Sequence, residues 1–100
     1  MREIVWSDKA IDQYAAAFEC LAERNPWAAD KLAQRVRQTL GLLATRPVAR
    51  PGHAADTYEK FVQKTSYVIV FETAGDELRI LRLFHMSQDW RGWRESETEA

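Results

Sequence analysis

The strongest structural signal of the chain is a pair of apolar runs on either side of a tight turn. Residues 67–73 and 77–85 are rich in β-branched and aromatic side chains, and Gly75 lies between the two runs. Because glycine adopts the positive φ that a short turn requires, this pattern predicts an antiparallel β-hairpin. Strands this apolar are typical of a buried sheet, so we expect Arg82, a cation inside the second run, to have a partner or an exposed face.

Apolar residues at three- and four-residue steps predict two helices before this hairpin. A short strand over residues 2–6 comes first, and Ser7 is the expected N-cap of a helix that ends near Arg24. Pro26 is the expected first residue of a second helix, which ends before Pro47. The predicted apolar stripes are Ile11, Tyr14, Phe18, Leu21 and Ala22 on the first helix, and Ala29, Leu32, Val36, Leu40 and Leu43 on the second.

The rest of the chain completes an α+β pattern. Residues 47–57 show no periodicity and are expected to form a loop, and residues 58–64 are expected to form a strand. The element order is then β-α-α-β-β-β, which predicts a helical hairpin packed on a mostly antiparallel, twisted sheet. We expect one domain over residues 1–94, followed by an acidic tail over residues 95–100 that frays or orders on a partner.

Composition narrows the class of protein. The chain of 100 residues has one cysteine, Cys20, which favours a reducing compartment and which we expect to be a buried structural thiol. No apolar run is long enough to cross a membrane, and the N-terminus lacks the apolar part of a secretory signal, so we expect a cytoplasmic protein. The net charge is −1, and it becomes about +2 without the three acids of residues 95–100. This excess is too small to indicate nucleic-acid binding by itself.

Four segments, taken in order, resemble motifs of the RelE/ParE superfamily of bacterial toxins, and most closely those of ParE-like, or plasmid-stabilisation, members. The segments are WSDKA at 6–10, LAERNP at 21–26, LATRP at 43–47 with RPGH at 50–53, and QDW at 88–90 after the strand pair. The resemblance implies the fold described above and the role of toxin in a type II toxin–antitoxin system. It also implies a hetero-oligomer with a ParD-like antitoxin, and no cofactor.

The superfamily contains two activities, which the resemblance leaves as alternatives. ParE-like members inhibit DNA gyrase without known hydrolytic chemistry, whereas RelE-like members are ribosome-dependent mRNA endonucleases that need no metal. RelE-like nucleases place an arginine directly after a strand tyrosine, and in this chain Val68 follows Tyr67. Because valine cannot hold a phosphate, the sequence favours the non-enzymatic gyrase inhibitor. The resemblance also implies that the toxin alone does not bind nucleic acid in a sequence-specific way.

The candidate catalytic residues belong to the nuclease alternative. Arg82 and His85 would form an acid/base and phosphate pair, and Lys60 is the third candidate. Arg82 and His85 lie three apart on one strand and therefore point to opposite faces unless a bulge intervenes. In the structural alternative, Arg82 pairs with a carboxylate or binds the antitoxin, and His85 caps the strand. No metal site is expected, because His53 has no second ligand at metal spacing.

Two further groups of residues are candidates for protein contacts. Tryptophan and arginine are favoured interface anchors, so the expected target-binding residues are Trp90, Arg91, Trp93 and Arg94, although Trp90 is equally suited to covering the end of the core. The expected antitoxin-binding residues are Lys60, Lys64, Arg79 and Arg82. Four-residue spacing on one strand would place Lys60 and Lys64 on the same face, and three-residue spacing would place Arg79 and Arg82 on opposite faces.

Overall fold

The computed structural model describes residues 1–99, including the side chains of residues 1–97, and its strands form one sheet in the order β1-β5-β4-β3-β2. The elements are β1 (Glu3–Trp6), α1 (Asp8–Arg24), α2 (Pro26–Thr45), β2 (Arg50–Pro51), β3 (Tyr58–Phe61), β4 (Tyr67–Ala74), β5 (Glu77–His85) and α3 (Trp93–Glu99). Only β1 and β5 pair in parallel. The predicted α+β fold is confirmed, with β2 and α3 as additional short elements.

Local sequence signals set the ends of the helical hairpin. The Ser7 hydroxyl accepts a hydrogen bond from the Ala10 amide at 3.1 Å, and the Asn25 side chain accepts one from the Ala28 amide at 3.3 Å. Asn25 is at once the C-cap of α1 and the N-cap of α2. A single linking residue forces the chain to reverse, so the two helices pack together as the predicted hairpin.

The inner face of the sheet packs against this hairpin. The predicted stripe on α2 is confirmed, since all five of its residues are buried. The predicted stripe on α1 is correct at Tyr14 and Leu21 and wrong at Ile11, which is 49% exposed, whereas Ala10 is fully buried. Tyr14, Ala17 and Leu21 pack against the core from the same face as Ala10. Small residues bring the helix close to the sheet, and they turn Ile11 away from it.

The outer face of the sheet is also covered, by a second apolar cluster. This cluster contains Ala54, Val68, Val70, Phe84, Trp90 and Trp93, with Leu81 packed against it. The expected acidic tail differs from the structure over residues 95–99, which belong to α3; residue 100 lies outside the described residues. Arg82 holds α3 to the sheet, because its guanidinium lies 4.8 Å from the Trp93 ring and donates to the Glu97 carboxylate, with one bond of 2.9 Å from Nε.

A β-bulge changes the expected faces of two arginines. Val70 pairs with Arg82 and Phe71 with Ile80, so Leu81 is an extra residue on β5. The extra residue shifts the alternation by one position, and Arg79 and Arg82 therefore share the outer face of the sheet. The prediction that they lie on opposite faces is wrong for this reason.

The predicted strand over residues 58–64 is too long. β3 ends at Phe61, and Lys64 lies in the following turn with φ of 60°. This left-handed conformation removes Lys64 from the strand alternation, so the predicted strip of Lys60 and Lys64 on one strand face is wrong. The two-residue β2 lies within the segment expected to be a loop, and it pairs with β3 through Glu59 and Tyr58.

Two isoleucines provide a direct test of the helix packing. Ile80→Ala should lower the free energy of unfolding by about 2–5 kcal/mol, because it empties a fully buried position. Ile11→Ala, the matched control on α1, should change it by less than about 0.5 kcal/mol. Urea unfolding followed by circular dichroism measures both values. Equal losses would contradict the orientation of α1 described above.

The attachment of α3 should depend on pH. The hydrogen bond from Arg82 lowers the pKa of Glu97 below its ordinary value of 4.5, and burial opposes this effect in part. A carboxyl with a lowered pKa stabilises the fold above its unfolded pKa, and this contribution is lost as the pH falls through the lower folded value. Because Glu97 is about one-third exposed, water screens the pair, and its stabilisation should stay below about 1 kcal/mol.

Glu97→Gln should therefore speed amide hydrogen exchange in α3 at pH 7 relative to the unmodified protein. Well below pH 4.5, the amides of α3 should exchange at the same rate in the two proteins, because the Glu97 carboxyl is then protonated in both the folded and the unfolded state. A difference that persists at low pH would assign the effect of the substitution to packing and not to the ion pair.

Candidate functional site

A groove lies at the tip of the helical hairpin, where the last turn of α1 and the first half of α2 face the ends of β4 and β5. It has a volume of about 550 Å³. Four cations line it, namely Arg24, Lys31, Arg35 and Lys64, and three aromatic residues, namely Trp27, Tyr67 and His85. No acidic residue is among the described residues that line the groove, although the whole chain is slightly acidic.

The groove cations have no carboxylate partner among the described side chains. The salt bridges there join Arg50 and His53 to Glu59, Arg79 to Glu72 and Glu77, and Arg82 to Glu97. In the groove, Arg24 donates to the Cys20 sulfur at 3.6 Å and Arg35 to Gln38 at 3.5 Å, while Lys31 lies 5.4 Å from the ring of Trp27. These contacts leave the positive charges uncompensated, so the groove is a site of positive potential.

Tyr67 and His85 form the sheet side of the groove. Their rings meet edge to face at 5.0 Å. Burial raises the pKa of Tyr67, with a smaller rise from Cys20 and a partial offset from Arg24, so its hydroxyl is neutral and a hydrogen-bond donor near pH 7. The Ser87 amide donates to His85 Nδ1 at 3.0 Å, which closes the end of β5 as the structural alternative predicts.

The candidate catalytic residues are not brought together. Arg82 lies on the outer face with Trp93, whereas His85 lines the groove on the inner face. The bulge at Leu81 precedes Arg82, so it does not bring these two side chains to one face. Lys60 pairs with the core residue Ile69 and so lies on the inner face, on a strand that β4 separates from β5.

The position that would carry a phosphate-binding arginine in RelE-like nucleases is inaccessible. Val68 is fully buried in the outer cluster between the sheet and the C-terminal segment. A side chain at this position contacts the core and not a ligand. Cys20, in contrast, is exposed, and the prediction of a buried thiol is wrong because α1 turns this position towards solvent.

The expected target-binding tryptophans are parts of the core. Trp90 is 2% exposed and Trp93 is 7% exposed, so neither ring offers a contact surface. The alternative that Trp90 covers the end of the core is correct. Arg91 lies over Trp90 at 5.1 Å, and Arg94 lies over Trp93 at 5.0 Å and donates to the Ala55 carbonyl at 2.9 Å.

The expected antitoxin-binding residues do not form one surface either. Arg79 contacts Glu72 at 3.8 Å and Glu77 at 2.9 Å, and Arg82 contacts Glu97. Lys60 lies on the inner face, and Lys64 alone of the four lines the groove. The bulge places Arg79 and Arg82 together on the outer face, away from Lys60, and the early end of β3 removes Lys64 from the strand.

A buried carboxylate holds the loop that precedes β3, and sequence reasoning missed it. Glu59 is 1% exposed, and it accepts from Arg50 at 3.1 Å and from the His53 amide at 2.9 Å, with His53 Nδ1 at 2.7 Å. The His53 ring also meets Trp90 edge to face at 5.3 Å. The sequence signal was the alternation within β3, which turns Glu59 to the outer face together with Phe61.

Metal chemistry has no structural support within the described part of the chain. No group of three or more histidine, cysteine, aspartate or glutamate side chains there is arranged to hold a metal ion. Over the same residues, no helix is both long and apolar enough to cross a membrane.

Comparison with known proteins places the chain in a family. A family model described as the ParE toxin of the type II toxin–antitoxin system, parDE, matches residues 4–90. No curated protein matches the chain.

Solved structures share the fold. A chain of the chromosomal ParDE toxin–antitoxin system from P. aeruginosa superposes with a TM-score of 0.74 at 21% identity, covering 85% of this chain and 96% of that chain. A YoeB/ParE toxin from Agrobacterium tumefaciens superposes with a TM-score of 0.58 at 12% identity, covering 83% of this chain and 96% of that chain. The match over residues 4–90 shows that this chain belongs to the ParE toxin family of type II toxin–antitoxin systems.

Proposed function

We propose that this ParE-family toxin arrests growth by binding DNA gyrase, as a non-enzymatic cytoplasmic inhibitor, and that a ParD-like antitoxin encoded beside it neutralises it. The observation that carries the proposal is the burial of Val68. In a metal-free ribonuclease, cations must reach the phosphate at the cleavage site. Here the side chain at this position faces the outer core, so it cannot contribute to such a site.

The separation of Arg82 from His85 supports the same choice. A general acid or base acts on a phosphate only if it lies within hydrogen-bond reach of the reacting atoms. The sheet lies between these two side chains, and the Arg82 guanidinium is already hydrogen-bonded to the Glu97 carboxylate. The nuclease alternative would therefore require a rearrangement of β5.

The sheet edges and α1 support an antitoxin partner. β2 pairs with only two residues of β3, so the rest of the β3 edge that faces away from β4 lacks a strand partner. Tyr58 and Phe61 are more than one-third exposed beside this edge, and Ile11 is half-exposed on α1. Exposed strand edges accept an added strand, and exposed apolar helix faces accept a helix. Such a complex, in a plasmid-stabilisation role, is consistent with the family match.

One experiment tests both parts of the proposal. The purified toxin is added to a gyrase supercoiling assay and, in parallel, to a translating extract whose mRNA is mapped by primer extension. Loss of supercoiling, intact mRNA, and recovery of supercoiling on adding the protein from the adjacent open reading frame are expected. Codon-phased mRNA cuts with unaffected supercoiling would overturn the gyrase target and favour the ribosome-dependent nuclease.

His85→Asn provides a matched control in the same assays. The substitution keeps a polar side chain at the end of β5 but removes the acid–base group. Gyrase inhibition should remain within about twofold of that of the unmodified toxin, because no proton transfer is involved. A loss of toxicity in a variant that circular dichroism shows to be folded would contradict the non-enzymatic mechanism.

A further inference from the structure

We propose that the groove between the helical hairpin and the ends of β4 and β5 binds single-stranded nucleic acid in a sequence-independent way. The inference goes beyond inhibition of gyrase and rests on the groove alone. Its first basis is charge. Arg24, Lys31, Arg35 and Lys64 come from the end of α1, from α2 and from the turn before β4, so they line the groove from different sides. None of them pairs with a carboxylate in the described part of the chain.

The second basis is the chemistry of the other lining groups. Ser66 and Tyr67 add hydroxyls, and none of the described side chains in the lining is a carboxylate that would repel an anion. Phosphodiester oxygens accept hydrogen bonds and carry charge, so a surface that offers donors and cations matches a nucleic-acid backbone. The compensating acids of this slightly acidic chain lie elsewhere, and its net charge therefore conceals the local excess.

The third basis is the exposure of an aromatic ring at the groove. Trp27 is 68% exposed, whereas Trp90 and Trp93 are buried. Lys31 lies over the Trp27 ring, at 5.4 Å. An exposed ring next to cations is the arrangement on which unpaired bases stack in proteins that bind single strands.

An acidic protein segment is the competing occupant, and the lining disfavours it. A peptide helix needs a continuous apolar floor, but the aliphatic lining is limited to Leu21 and Ala28, which are only partly exposed, and Leu32, which is 2% exposed. The rest of the lining is formed by an exposed aromatic ring, donor groups and cationic side chains, which suit bases and phosphates better than leucine side chains.

Fluorescence anisotropy of labelled 12-nucleotide DNA and RNA strands of mixed sequence, titrated with the full-length toxin, tests the proposal without gyrase. The outcome is therefore independent of the gyrase target. Binding should weaken with salt, and the log–log slope should be about −0.7 per phosphate contacted, or about −3 if all four cations take part. A duplex of the same sequence should bind less tightly, because its bases are stacked within the helix. Tighter duplex binding, or no binding of either strand at low salt, would overturn the proposal.

Matched variants locate the site. Arg35→Gln should weaken binding and reduce the salt slope by about 0.7, whereas Arg37→Gln, on the same helix but outside the groove, should change neither. Lys64→Asn removes a groove charge and retains a residue that tolerates the positive φ. The Arg24→Gln, Arg35→Gln, Lys64→Asn triple variant should lose about tenfold or more in affinity at low salt. Equal effects of Arg35→Gln and Arg37→Gln would contradict the location.

Trp27→Ala and a competitor peptide separate nucleic acid from acidic protein. Removing the ring should cost about fivefold or more in affinity for a single strand, because one stacked base is lost. A polyglutamate peptide of equal charge should displace the strand only at much higher concentration. Displacement at equal concentration, together with no effect of Trp27→Ala, would assign the groove to an acidic protein partner and overturn the proposal.

Discussion

The rest of the structure depends on the pairing of β4 with β5. Residues 68–71 of β4 are fully buried, and β5 is buried at Leu78, Ile80, Leu83 and Phe84, so this hairpin provides apolar surface to both sides of the sheet. The inner side is covered by α1 and α2, and the outer side by the segment that ends in α3. Where both faces are buried, the strand pair presents no side chain to a ligand. Contacts with other molecules are therefore left to its exposed positions, such as Arg79, to its ends, to the sheet edges and to the helices.

This arrangement gives the two sides of the sheet different chemistry. On the outer side, Arg82 is paired with Glu97 and Glu59 is surrounded by Arg50 and His53, so the charges are compensated within the fold. On the inner side, the groove cations have no acidic partner in the described structure. Compensated charges stabilise packing, whereas uncompensated charges attract a ligand. The positive charge of the groove is therefore available to a bound molecule, because no acidic side chain in the described structure pairs with it.

Much of the fold could be predicted from sequence, because large apolar residues repeat at regular steps on α2, β4 and β5. On α1, Ala10 and Ala17 were missed because alanine gives a weak hydropathy signal, and Ile11 was placed in the stripe although it is exposed. Trp93 was expected at the surface, and Trp90 either there or over the end of the core, because their burial depends on contacts with Val68, Phe84 and other residues distant in sequence. Such long-range packing leaves no local periodicity.

The candidate site was harder to predict for a related reason. Arg24, the cations of α2 and Lys64 belong to three separate segments, and only the close approach of the hairpin tip to the turn before β4 brings them together. The bulge at Leu81 determines on which face of the sheet Arg82 lies, and no glycine in the sequence indicates that a bulge occurs there. The burial of Val68, in contrast, agrees with the sequence argument against a phosphate-binding role there.

The central claim is that the tryptophans of the C-terminal segment belong to the core and that Trp27 is the tryptophan available for contact. ¹⁹F NMR of the toxin labelled with 5-fluorotryptophan, recorded in H₂O and in D₂O, tests this claim directly. A solvent isotope shift reports exposure of each ring, and single Trp→Phe variants assign the four resonances. The account predicts a large isotope shift for Trp27 and almost none for Trp90 and Trp93. Large shifts for Trp90 and Trp93 would contradict it, because these rings would then be surface anchors.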